Sequence, residues 1–66
     1  MEKISINKNI LTYRGEDYTI LSHEIIGEEF IHITTETSTI AFIPKDTEIN
    51  GVVAETIGEI IKYIND

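Results

Sequence analysis

The feature that most limits what this chain can fold into is its punctuation: short alternating apolar runs, each closed within a few residues by a glycine-led or polar turn. The runs are Lys3-Ile4-Ser5-Ile6, Ile10 to Arg14, Tyr18 to about Ile26, Phe30 to Thr35, and Ser38 to Ile43. A period of two marks strands with one face on a core. Connections this short join antiparallel neighbours, because a parallel pair needs a crossover of about a dozen residues or more.

The turns suggest registers. A two-residue loop starting at Gly15 suits a type II′ turn and would set Tyr13 opposite Tyr18 and Leu11 opposite Ile20, on one face. A three-residue loop, Gly27-Glu28-Glu29, would set Ile31 opposite Ile25 and Ile33 opposite His23, with Glu24 facing His32 on the other surface. A two-residue loop there would pair His23 with His32, but a one-residue slip turns every side chain over, and the isoleucines favour the longer loop. The doublets Ile20-Leu21 and Ile25-Ile26 imply a bulge or burial on both faces. A two-residue loop at Glu36-Thr37 would place Ile40 and Phe42 across from Ile33 and Ile31, and Pro44 would end that strand.

The last third changes period. Ile49, Val53, Ile57, Ile60 and Ile64 recur at helical spacing, with Val52, Ile61 and Tyr63 beside the same stripe. They predict a helix from about Thr47 to Ile64 whose inward face centres on Val53 and Ile57, with Thr47 or Asn50 as its cap. Glu55, Gly58, Glu59 and Lys62 would take the wetted side. The expected fold is α+β: one domain over residues 1–66, an antiparallel meander of four or five strands with one C-terminal amphipathic helix on the sheet. An SH3-like barrel with an appended helix is the alternative.

A chain of 66 residues is near the lower limit for folding alone, and domains of this size bury only about 60% of their unfolded surface. Without cysteine it has no disulfide, thiolate nucleophile or thiolate zinc site. Core packing or self-association must then hold it together. The opening Met1 to Ile6 lacks a signal-peptide apolar region, and no run approaches the ~20 apolar residues of a membrane span, so a cytoplasmic protein is expected.

Catalytic patterns are weak. Ser22 and His23 are consecutive and, in a strand, point to opposite faces, so they do not make a nucleophile and base. His23-Glu24 lacks the second histidine of a metalloprotease helix, and the glycines are too scattered for a phosphate loop. Neither an enzyme, a metal site nor a cofactor is expected. Tyr13 and Tyr18 suit either an interface anchor or one edge of the core.

Charge carries the functional expectation. The net charge is −7, and Gly15 to Pro44 holds Glu16, Asp17, Glu24, Glu28, Glu29 and Glu36 without one Lys or Arg. Direct nucleic-acid binding needs cations to displace phosphate counterions, and only Lys3, Lys8, Arg14, Lys45 and Lys62 are present. The field instead favours a basic partner surface. In size and acidity the chain resembles the short acidic proteins of bacteriophages and mobile elements that inactivate host nucleic-acid enzymes. That resemblance implies an inhibitor or regulator of a nucleic-acid-processing protein, with the six acids as its partner-binding residues. The alternative is a structural module that assembles as a homodimer or larger oligomer.

Overall fold

The computed structural model describes residues 1–27 and 29–65, so Glu28 lies outside the described residues. Its elements are β1 (Glu2–Asn7), β2 (Ile10–Tyr13), β3 (Glu16–Ile26), β4 (Phe30–Thr35), β5 (Thr39–Phe42), β6 (Thr47–Ile49), β7 (Val52–Val53) and α1 (Ile57–Asn65). The strands form one mixed sheet in the order β5-β4-β3-β2-β1-β6-β7. The α+β class holds, but the strands number seven among the described residues and the meander is not wholly antiparallel. β6 runs parallel to β1, with Glu2 beside Thr47 and Ile4 beside Ile49.

The expected registers of the middle hairpins are observed. Ile25 pairs with Ile31, Glu24 with His32 and His23 with Ile33, while Ile33 and Ile31 pair with Ile40 and Phe42 of β5. The first doublet is a bulge: Ile20 pairs with Thr35 and Ser22 with Thr34, leaving Leu21 as the extra residue. At this point β3 changes partners, its first residues pairing with β2 and those from Ile20 onward with β4. A bulge bends the strand and increases its twist, which is how one strand serves two layers.

That bend coils the sheet. Laid flat, seven strands would separate β5 from β7 by about 29 Å at a spacing of ~4.8 Å. Instead the rings of Tyr13 in β2 and Phe42 in β5 meet edge to face with centroids 5.7 Å apart. Just past the two edge strands, the Lys45 N–H donates to the Ala54 carbonyl at 2.6 Å. The barrel alternative is nevertheless not realised, since β5 and β7 are not paired with each other among the described residues. The curled inner face holds Ile4, Ile6, Leu11, Ile20, Ile31, Ile33, Phe42 and Ile49, joined by Ala54 and Ile60.

The first hairpin turn differs from expectation. Its central residues are Arg14 and Gly15, both at positive φ (51° and 82°), the signature of a type I′ turn rather than II′. Tyr13 therefore faces Glu16, and Leu11 faces Tyr18. The slip is two residues, so Leu11, Tyr13 and Tyr18 still share one face.

The larger correction concerns the helix. Thr47–Ile49 and Val52–Val53 are strands joined by Asn50-Gly51, again with both φ positive (53° and 86°). This hairpin is fixed to β1 by the Asn50 side chain, whose Oδ1 accepts from the Ile6 N–H at 3.1 Å and whose Nδ2 donates to the Ile6 carbonyl at 3.0 Å. Thr47 is not a helix cap. It is buried and donates its hydroxyl to the Ile43 carbonyl at 2.9 Å.

The cap is Thr56, whose Oγ1 accepts from the Glu59 N–H at 3.2 Å, while the Glu59 carboxylate accepts from the Glu55 N–H at 3.3 Å. The Thr56 bond satisfies a backbone donor that a helix start leaves open, and such a cap contributes about 1 kcal/mol. Glu55 thus precedes the helix. The helix's buried centre is Ile60, fully enclosed, with Ile61, Tyr63 and Ile64 packed partly around it. Ile57, expected at the centre, is only half-buried.

Two substitutions test this face. Ile60→Ala is expected to lower unfolding stability by about 2–5 kcal/mol, and Ile57→Ala by well under half of that. Urea denaturation giving equal losses would show that the helix sits differently on the sheet.

Candidate functional site

All five acids of the base-free stretch that lie among the described residues are exposed: Glu16, Asp17, Glu24, Glu29 and Glu36. They do not form one patch. Glu16, Asp17 and Glu36 gather around the first half of β3, where the Tyr18 hydroxyl donates to Glu16 at 3.0 Å and the Thr12 hydroxyl donates to Asp17 at 2.7 Å. The Glu36 carboxylate reaches back from the β4–β5 turn to accept from the Thr19 N–H. Glu24 and Glu29 belong to the far end of β3 and the turn beyond it. Asp17 and Glu24 are seven strand positions apart, at most roughly 23 Å.

Hydrogen bonding to Glu16 holds the Tyr18 hydroxyl above its usual 10.0, and the negative charges of Glu16 and Glu36 push in the same direction. A phenolate beside carboxylates is disfavoured, so the folded chain keeps this proton at a pH where the unfolded chain releases it. The associated stability is complete below about pH 10 and is lost as pH rises through the folded-state value.

Pairing separates the residues whose types suggest chemistry. Ser22 is opposite Thr34 and His23 opposite Ile33, so the two consecutive side chains leave opposite faces of the sheet. His32 lies on the outer face across from Glu24, its ring tilted at 44° to that of Phe30 with centroids 5.2 Å apart. His23 is on the core side, beside a depression that Asn9, Ile20, Leu21, Ser22 and Ile64 also line. Among the described residues no three His, Asp or Glu side chains gather as a metal ion would require.

A concave feature absent from the sequence reading lies at the other end of α1. Ile25, Gly27 and Glu29 from the β3–β4 hairpin, Pro44 and Lys45 after β5, Glu55 and Thr56 ahead of the helix and Ile57 at its start line a groove of about 540 Å³. Its floor is apolar. Ile25 is on the core face, paired with the fully buried Ile31, yet remains 47% exposed because α1 begins too late to cover it. Lys45 stands on the rim at φ 72°, a left-handed conformation that costs a non-glycine residue about 1–2 kcal/mol, held by its bond to Ala54.

The cations elsewhere are spread out. Arg14 lies 3.0 Å from Glu2 and over the Tyr13 ring at 5.0 Å, and the terminal amine approaches Asp46 at 3.8 Å. No helix among the described residues is long and apolar enough to cross a membrane.

In a tyrosine absorbance titration, Tyr18 is expected to ionise above 10.0, and Glu16→Gln is expected to bring it back towards that value. An unchanged titration would mean that the Tyr18–Glu16 contact does not persist in solution. Comparison with family models, with curated proteins and with solved structures finds no match for this chain.

Proposed function

We propose that this protein is a non-enzymatic binding module that engages a basic surface of another protein and acts as its inhibitor or regulator. The observation that carries this reading is the stretch from Gly15 to Pro44, which has no Lys or Arg and whose described carboxylates are all exposed. Exposed acids without neighbouring bases keep their field, and that field steers encounter with a cationic surface. The division into two groups along β3 suits a long basic groove or a pair of separate basic sites. Because arginine forks accept carboxylate and phosphate alike, a nucleic-acid-processing protein is the target class that fits best. Tyr18, half-buried, bonded to Glu16 and within the field of Glu36, supplies an aromatic anchor within the first acidic group.

A second reading, assembly with further copies, draws on β5. This edge strand lies in an uncharged run from Thr37 to Pro44 and lacks the charged side chains that commonly protect sheet edges. Solution mass at several dilutions separates the two, since obligate assembly predicts no stable monomer.

For the leading reading, the partner captured from the source cell is identified and its binding kinetics measured. Raising salt from about 50 to 500 mM shortens the screening length several-fold, and the association rate is expected to fall at least about tenfold while dissociation changes little. Asp17→Lys combined with Glu24→Lys should slow association in the same way and leave the melting temperature nearly unchanged. Salt-insensitive association that also tolerates both reversals would contradict the proposal and leave the acids as solubilising groups.

A further inference from the structure

We infer that the groove between the β3–β4 turn and the start of α1 receives a large apolar side chain from the partner, flanked in the partner's sequence by Arg or Lys. This inference rests on the protein-binding reading above and gives it a contact point. Isolated exposed isoleucines on an outer surface need no explanation, but Ile25 occupies the core face of β3 and continues the row that Ile31 and Ile33 complete in β4. Elsewhere on that face the coiled sheet and α1 together provide the cover. Here Glu55 and Thr56 line the side of the groove, and the floor of Ile25, Pro44 and Ile57 is left open.

The walls define the chemistry of what covers it. Glu29 comes from the hairpin turn and Glu55 from the segment ahead of the helix, so the two carboxylates reach the groove from separate elements. Neither has an ion-pair partner among the described residues. An aliphatic or aromatic side chain placed on the floor would remove Ile25 and Ile57 from water, and cations beside it in the partner would meet Glu29 and Glu55. Lys45, on the rim, is placed to donate to a backbone carbonyl of the same segment. An acidic segment would be repelled by both carboxylates, and a second copy of this chain would bring a net charge of −7 against another −7.

The test uses the intact protein, labelled for amide NMR, and three capped pentapeptides. The first has leucine between two arginines, the second has glycine in place of that leucine, and the third has leucine between two glutamates. The first peptide is expected to shift the amides of Ile25, Gly27, Lys45, Thr56 and Ile57 in a saturable way and to bind at least about tenfold more tightly than the other two. Glu29→Gln with Glu55→Gln should weaken it roughly threefold to tenfold, as expected for two exposed ion pairs. Ile25→Thr, which keeps a β-branched strand residue, should weaken it to the level of the glycine peptide. Equal binding of the leucine and glycine peptides, with shifts spread over Asp17, Glu24 and Glu36, would overturn the groove while leaving the acidic-surface reading in place. The same groove amides shifting with protein concentration alone would overturn it in favour of a second copy. Absence of binding by any peptide, with the partner's association still slowed by the Asp17 and Glu24 reversals, would also refute the groove alone.

Discussion

The structure depends on one extra residue in one strand. Without the bulge at Leu21, β3 would run straight and its partners on either side would lie in a nearly flat sheet, with one apolar face too broad for a nine-residue helix to cover. With it, the layer carrying Ile4, Ile6 and Leu11 turns to face the layer carrying Ile31, Ile33 and Phe42. The Tyr13–Phe42 ring contact is the direct trace of that closure. The sheet then supplies most of its own cover, and α1 seals the remaining opening with Ile60. Leu21 itself is left 63% exposed, as a residue inserted for backbone geometry rather than for burial.

The start of the chain is joined to its last third by the second non-local feature, the parallel pairing of β1 with β6. It links residues far apart in sequence, and its hydrogen bonds are completed by the Glu2 N–H to Asp46 carbonyl, the Asn50 N–H to Ile4 carbonyl, and the Asn50 side chain on Ile6. Such pairing is entropically late, because a long loop must close before it is rewarded. The local hairpins from β2 to β5 can form first. The β6–β7 unit and the helix follow from it, and with them the groove, whose walls come from both parts.

Much of this was legible where a local rule acted alone. The β3–β4 and β4–β5 registers followed from alternation plus loop length, since a slip would have exposed Ile31, Ile33 and Phe42. The two doublets left a bulge or burial on both faces open: Ile20-Leu21 forms the bulge, whereas Ile25-Ile26 has neither, Ile25 being 47% exposed in regular pairing. The last third misled because Ile49, Val53 and Ile57 fall four residues apart by coincidence of a hairpin followed by a helix, and Asn50-Gly51, a strong hairpin signal, lies inside that period, where Asn50 reads as a helix cap. Arg14 in a left-handed position was equally hidden, since glycine at the first turn position is the simpler expectation. For the candidate site, the exposure of the acids could be read from charge patterning, but not their separation into two groups, which follows from the length and bend of β3. Nor could the groove be read, because Ile25, Pro44 and Ile57 come together only in the tertiary structure.

Deleting Leu21 tests the account most directly, because Ile20 already pairs with Thr35 and Ser22 with Thr34, so the deletion keeps every pairing and every face while removing the bend. The measurement is the nuclear Overhauser contact between the rings of Tyr13 and Phe42. It should be present in the natural chain and lost in the deletion variant, together with the cooperative unfolding transition. A variant that keeps the ring contact and an unchanged melting temperature would contradict the claim that the bulge closes the two layers over one core.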